Sequence, residues 1–317
     1  MNLQQFRIVL EVVRHDYNLT EAARALHTSQ PGVSKALIEL EEELGVQIFA
    51  RRGKRLRKLT EPGREIHKSI EIIQREVRNL KYIGMEYARQ DAGTISIAAT
   101  HTQARYFLPG PVAEFRKRFP NVTIRLHQGH PTEIAHMVMD DVADIGVATE
   151  SLAEFDALLA LPCYEWQHVA VFPVNHPLGS LRPQDVDLDQ LAKYPLVTYQ
   201  REFAGRTRID RTFAEHHIAP HVVLEAIDSD VLKTYVELGM GVGLLAEMAV
   251  RPQRDPQLAT IPLGHLFGMN TARVAIKRGA YLRGFVYTFL ELLNEKLTRK
   301  FINEALLEGY GTAKPPS

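Results

Sequence analysis

Asn18-Leu19-Thr20-Glu21-Ala22-Ala23-Arg24-Ala25-Leu26-His27-Thr28-Ser29-Gln30-Pro31-Gly32-Val33-Ser34-Lys35 is the stretch that decides how the N-terminal region folds. Asn18 or Thr20 can cap a helix, and Glu21 sits well in its first turn. Ala22, Ala23 and Leu26 form its buried side, and the alanines permit close approach of another helix. After a short break at His27-Thr28-Ser29, Thr28 or Ser29 can cap a second helix. Pro31 is tolerated in its first turn because that position has no intrahelical N–H partner to lose. Val33, Leu37, Leu40 and Leu44 follow in steps of 4, 3 and 4, one buried face, and Gly45 suits a left-handed helix end. Gln30, Ser34 and Lys35 lie on the opposite early surface and can hydrogen-bond to phosphates or base edges. A tight turn between two short helices, with polar residues opening the second, is the helix-turn-helix layout for a DNA major groove.

Upstream, Phe6, Val9, Leu10 and Val13 form the apolar stripe of a helix. Downstream, Arg51, Arg52, Lys54, Arg55, Arg57 and Lys58 carry no acid among them. Alone, such a cluster reads as a solvated face; next to a helix-turn-helix it reads as the tip of a hairpin that can reach a phosphate strand or the minor groove. Ile66, Ile70, Ile73, Val77, Leu80, Gly84 and Tyr87 are then spaced as a heptad seam among charged residues. That seam is too narrow for a solitary helix in water; the helix can pack on its own domain, but self-association through the seam is the expectation, with Gly84 as a place for a bend.

Thr20-Glu21-Ala22-Ala23, Leu26, Thr28 to Ser34, Leu40-Glu41, Leu44-Gly45, Phe49, Arg51 and Leu59-Thr60-Glu61-Pro62-Gly63 resemble the winged helix-turn-helix of LysR-type transcriptional regulators. The resemblance implies that Thr28, Ser29, Gln30, Pro31, Ser34 and Lys35 face double-stranded operator DNA, with Arg51 and Arg52 on the wing. It also implies dimers through the connector helix, commonly assembled into tetramers, and makes RNA polymerase a further candidate partner.

A hinge is expected over 88–93, and then a new domain. Strand-like segments (Thr94 to Ala99, Val122 to Leu126, Ile145 to Ala148) alternate with helical ones such as Ile134 to Val142, which is the α/β pattern of a parallel sheet. A second such unit starts near Trp166, with strands at Val169 to Phe172, Leu196 to Thr198, Val222 to Leu224 and Gly241 to Ala246. Ligands of open α/β sheets sit beyond the carboxyl ends of strands, at helix N-termini. The rule selects Thr100 to Gln103, Thr149, Tyr199 to Arg206 and Asp228 to Asp230. Hydroxyls and backbone N–H groups there suit a small anion, although each Thr or Ser can equally be a helix cap.

Thr100 to Tyr106, Leu161 to Tyr164, Pro195 to Tyr199, Gly205-Arg206 and Asp230 to Val236 further resemble the CysB-type branch of the family, which includes Cbl-like members. That implies a two-lobed effector domain of the periplasmic-binding-protein kind (type 2). It also implies control of sulfur-assimilation and cysteine-biosynthesis genes, and an effector such as N-acetylserine, O-acetylserine, sulfate or adenylylsulfate rather than a tightly held cofactor. Carried over to the pocket are Thr100, Thr102, Gln103, Thr149, Tyr164 and Trp166, together with the Ala204–Gly205 pair. The branch has threonine where this chain has Ala204, so one pocket hydroxyl is missing, worth about 0.5–1.5 kcal/mol. The CysB-like and Cbl-like roles both remain open. The expected layout is a winged helix-turn-helix over 1–60, a linker helix over 61–90 and an effector domain over 91–317. Within that domain, lobe I takes about 91–163 and 268–317, and lobe II about 164–267.

The chain has 317 residues, 45% of them hydrophobic, with 38 basic and 38 acidic side chains, which excludes collagen-like, low-complexity and wholly disordered classes. The single cysteine, Cys163, permits no internal disulfide and no thiolate-rich zinc site. As a nucleophile it lacks a neighbouring base. His127, His130 and His136 do not share one helical face, so no metal site is expected. No nucleophile elbow or Walker loop is present, so an enzyme is not expected. The opening residues lack a secretory pattern and no apolar run approaches the ~18 residues of a membrane span, so a cytoplasmic protein without membrane contact is expected, and an exported binding protein is not.

Overall fold

Asn2 and Gln5 cap the first helix reciprocally: each side-chain oxygen accepts from the other's backbone N–H at 3.0 Å, starting α1 (Leu3–Arg14). The computed structural model describes residues 1–53, 55–88, 92–201 and 204–307. They fall into two units that divide between Tyr87 and Ala88. In the first, Asn18 caps α2 (Leu19–Ala25), its Oδ1 accepting from the N–H groups of Thr20 and Glu21 at 3.0 and 3.3 Å. Thr28 and Ser29 follow a turn whose tight point, His27, is left-handed at φ 53°. Ser29 caps α3 (Gln30–Leu44), which stops at Gly45 with φ 70°. Ala22 and Ala23 are buried against Val33, Leu37 and Leu40, as small residues at a helix crossing should be.

The wing is an antiparallel hairpin, β1 (Phe49–Arg52) and β2 (Arg55–Leu59), and its tip residue Lys54 lies outside the described residues. Thr60 then joins the wing to α4 (Glu61–Ala88). Its hydroxyl donates to the Gln47 carbonyl at 2.6 Å and accepts from the Gly63 N–H at 2.9 Å. Gly63 is required by contact: a Cβ there would stand 2.0 Å from the Ile48 carbonyl oxygen. Ile66 and Ile70 close the core of this unit, after which the seam is uncovered, with Leu80 68% and Tyr87 81% exposed. The helix runs without interruption through Gly84 to Ala88. The anticipated hinge falls largely on 89–91, outside the described residues.

The second unit opens with β3 (Ala92–Ala99), a π-helical turn (Gln103–Phe107) and α5 (Pro109–Arg118). It continues through β4 (Asn121–Gln128), α6 (Pro131–Met139), β5 (Ile145–Ala148) and the long β6 (Leu158–Pro173). Then come α7 (Leu188–Ala192), β7 (Leu196–Tyr199), α8 (Ala204–Glu215), β8 (Val222–Ala226), α9 (Ser229–Glu237) and β9 (Val242–Ala246). Last are β10 (Leu258–Pro262), α10 (Gly264–Phe267), β11 (Met269–Lys277), α11 (Gly284–Leu293) and α12 (Arg299–Leu307).

Two lobes result. In one the strands run β4-β3-β5-β11-β6; in the other, β6-β9-β7-β8 with β10 on β6. The expected parallel pairing holds for β3 with β4 and β5, and for β7 with β8 and β9. Strands β6 and β11, in contrast, pair antiparallel with their neighbours. They pass directly between lobes, without the crossover helix that a parallel connection needs. β6 pairs with β11 up to Gln167 and with β9 from His168 onward, so the change of lobe falls within one unbroken strand. The return comes at Gly268, φ 69°, beside Met269. Each lobe has its own apolar core, one around Phe115, Phe285 and Phe289, the other around Phe172, Phe213 and Phe267.

Candidate functional site

On the first unit, Thr28, Ser29, Gln30, Pro31 and Lys35 are exposed and Ser34 is half-buried, all within the first two turns of α3 or just before it. The Ser29 oxygen accepts from Gly32 N–H at 3.3 Å, which leaves its hydroxyl proton for an outside acceptor. The wing arginines differ from each other. Arg52 is exposed, but Arg51 turns back, its Nη2 donating to Glu41 at 2.6 Å. Glu41 is only 8% exposed and accepts in addition from the backbone N–H groups of Ile48 and Phe49 at 2.8 and 3.1 Å. Arg51 is therefore tied into a lock between α3 and the wing. Sequence reasoning passed over Glu41 as a binding-face determinant, although an acid four residues after Leu37 lies on the buried stripe and marks it.

In the second unit the selected segments do lie at carboxyl ends of the parallel strands. Thr100 and Thr102 follow β3, Thr149 follows β5, α8 follows β7 and Ser229 follows β8. Tyr164, Trp166 and His168 alternate along β6, so all three are on one face. Tyr164 OH donates to Gln103 Oε1 and lies 3.4 Å from Met248 Sδ. With its oxygen used, Gln103 retains two amide N–H donors that have no protein partner among the described residues. Thr102 Oγ1 is 3.4 Å from Ser229 Oγ, which is 2.8 Å from Tyr199 OH; that hydroxyl accepts from Ala246 N–H at 3.2 Å. The Thr149 hydroxyl reaches only Ser151, at 3.4 Å, among the described residues. Thr100 is 4% exposed, and its N–H donates to the Val147 carbonyl at 3.3 Å.

Gly205 brings the first turn of α8 onto this face: a Cβ there would lie 3.0 Å from His168 Nε2 and 3.2 Å from Trp166 Cη2. The side chain of Ala204 lies outside the described residues. Arg206, 2% exposed, donates to the Tyr199 carbonyl at 2.8 Å, to Glu225 at 2.7 Å and to Asp210 at 2.7 Å, and so fixes the end of β7 against β8 and α8. On this face the buried ring nitrogens Trp166 Nε1 and His168 Nε2 have no partner among the described residues. Burial, reinforced by the positive charge of Arg208, pulls His168 down to about 3, so its imidazole is neutral. His168, with Asn270 at 3.4 Å from its Nδ1, is a further residue of this face that the sequence reading missed; its alternation with Tyr164 and Trp166 was the available signal.

Cys163 is buried with its thiol pushed up to about 12 by desolvation, so it stays protonated and unreactive. Among the described residues no group of three or more His, Cys, Asp or Glu could hold a metal ion, and no helix is long and apolar enough to cross a membrane.

Comparison with known proteins fits both halves. Residues 3–64 match the bacterial regulatory helix-turn-helix protein family named for LysR, and residues 88–298 match the LysR substrate binding domain. The chain belongs to the LysR family. This LysR-family protein is 58% identical over 306 residues to the HTH-type transcriptional regulator CysB of Burkholderia cenocepacia, covering 96% of this chain and 97% of that one. It is 46% identical to the regulator SsuR of the same organism, covering 96% and 100%, and 44% identical to the regulator cbl of Escherichia coli, covering 97% of each. Among solved structures, the cofactor-binding domain of the Cbl transcriptional regulator superposes with a TM-score of 0.65 at 43% identity, covering 68% of this chain and 94% of that one. Full-length OxyR from Pseudomonas aeruginosa gives 0.65 at 17% identity, covering 92% and 97%, a likeness of fold alone. The LysR-family protein is thus a transcriptional regulator with a DNA-binding helix-turn-helix, and the enzyme alternative falls away.

Proposed function

We propose that this regulator controls sulfur-assimilation and cysteine-biosynthesis genes in response to a small anion bound between its lobes. The effector would be held by Thr100, Thr102, Gln103, Thr149, Tyr164, Trp166 and the Ala204–Gly205 start of α8. The observation carrying this reading is the donor character of the cleft. Gln103 has its acceptor occupied, Trp166 offers only N–H, and the first turn of α8 adds backbone N–H groups. Such a lining favours an oxyanion or carboxylate without supplying a full opposing charge. Similarity to CysB, SsuR and cbl directs the choice toward acetylserines or sulfate-type anions.

Calorimetric titration of the full chain with N-acetylserine, O-acetylserine, sulfate, thiosulfate and adenylylsulfate tests the proposal. An acetylserine that binds and is weakened by Thr102→Ala supports a CysB-like role. Binding of sulfate or adenylylsulfate alone supports a Cbl-like role, with Ala204 in place of a hydroxyl as the reason. Absence of binding by all five refutes the sulfur reading and leaves the regulator assignment intact.

The same proposal places operator DNA against Thr28 to Lys35 and Arg52, and a second copy of the chain along α4, with pairs of dimers forming a tetramer. It places the protein in the cytoplasm, where RNA polymerase is a further partner. The layout in residues is 1–60 for DNA, 61–90 for the linker and 91–317 for the effector.

A further inference from the structure

Four of the candidate ligand residues, Thr100, Gln103, Thr149 and Trp166, are less than 9% exposed. Beside them, a group of polar contacts between the lobes lies where the segment 101–106 meets the loop and first turns of α9. His101 Nε2 lies 3.2 Å from Asp228 Oδ2, and Thr102 faces Ser229. Asp230 forms the centre. Its Oδ2 accepts from Arg105 Nε at 2.9 Å, and its Oδ1 accepts from Tyr106 OH at 2.6 Å, both from the opposite lobe. Arg251 adds Nη2–H to the Tyr106 carbonyl at 3.0 Å.

Asp230 is itself anchored within its own lobe. Lys233 Nζ lies 3.0 Å from its Oδ1 and 2.8 Å from Asp255, and Lys233 is only 7% exposed. The carboxylate also sits in the first turn of α9, where the helix dipole favours negative charge. Thr102 and Gln103 are on the segment that Asp230 grips, and Ser229 is its immediate neighbour.

We propose that Asp230 is a positioning residue for ligand capture: its bonds to Arg105 and Tyr106 latch the segment 101–106 onto α9, and their opening sets how fast the cleft exchanges its ligand. The proposal rests on the effector reading for its biological meaning, but the latch itself is testable without any ligand.

The test is amide hydrogen exchange on the full chain with no ligand added, comparing wild type with Asp230→Asn and Tyr106→Phe. Both variants should exchange about tenfold faster over 100–108, the effect of losing one charge-assisted hydrogen bond, while amides of β3 and β9 keep wild-type rates. Arg182→Ala, which breaks only the exposed Arg182–Asp185 pair within one lobe, should change neither. Unchanged rates over 100–108 in both variants overturn the latch. So does acceleration in both variants that is as large in β3 and β9 as at 100–108, because the residues would then be general supports. Tyr106→Phe keeps the ring and decides the matter if Asp230→Asn loosens the whole unit. Stopped-flow mixing with sulfate and with N-acetylserine then separates the two readings. The probe that binds wild type should leave both variants several-fold faster. If neither probe binds wild type, the effector reading fails while the exchange result still stands or falls alone.

Discussion

Glu41 and Arg51 show how one buried acid can tie α3 to the wing. Glu41→Gln removes the charge that Arg51 and two backbone N–H groups share, a loss of about 1–3 kcal/mol. Operator affinity in Glu41→Gln and Arg51→Ala should therefore fall together, with the salt dependence of binding unchanged. Arg52→Ala should instead flatten the plot of log K against log salt by about 0.9. Fluorescence anisotropy across a salt series separates the two effects. His168 carries a second prediction. Its folded pKa of about 3 lies below the ordinary 6.5, so the unfolded chain binds the extra proton between those values and stability falls as pH drops through that window. Between pH 6 and 4, wild type should lose stability more steeply than His168→Gln, by roughly 1 kcal/mol per pH unit, read from urea midpoints. At this scale the sequence was only partly legible. Apolar spacing named Leu37 and Leu40, and cap chemistry narrowed the start of α3 to Thr28 or Ser29, of which Ser29 caps it. The partners of Glu41, His168 and Asp230 depend on chain reversals that local spacing does not encode.

Among elements, α3 and the turn before it were the most readable, because caps, a breaker and the stripe Val33, Leu37 and Leu40 agreed; Leu44, expected on the same buried face, is exposed at the helix end. The Leu59 to Gly63 stretch is explained by contact. Thr60 caps α4 and ties it to the wing, and Gly63 accommodates the Ile48 carbonyl. Gly63→Ala should lower the melting temperature of the full chain markedly, since overpacking of this kind costs about 1–3 kcal/mol. Less readable was the π-helical turn Gln103–Phe107, whose residues resemble an ordinary helix start. Helix α4 presents the opposite situation: its heptad pattern was plain, and the structure of a single chain leaves Ile73, Leu80 and Tyr87 exposed. If those residues form the dimer seam, Leu80→Glu should reduce the oligomer size seen by sedimentation velocity at micromolar concentration. An unchanged distribution would place self-association elsewhere.

For the whole molecule, the alternation of strands and helices made the α/β class legible, but it also suggested parallel pairing throughout. The antiparallel strands β6 and β11 were hidden because a direct passage between lobes has no sequence marker beyond a long run of apolar and aromatic residues. Effector binding should change the spacing or bending of bound operator, seen as a shifted nuclease footprint at saturating ligand. A footprint identical with and without a ligand shown to bind would refute that coupling.

The passage of β6 from one lobe to the other has a mechanical side. No loop interrupts its 16 residues at the junction, and the left-handed Gly268 is the obvious soft point on the return strand. Relative rotation of the lobes must then be taken up as twist along a hydrogen-bonded ribbon, which behaves as a torsion spring and not as a free joint. A spring of that kind resists large excursions and returns unaided once its load is removed. Departure of a bound anion would by itself reset the sensor.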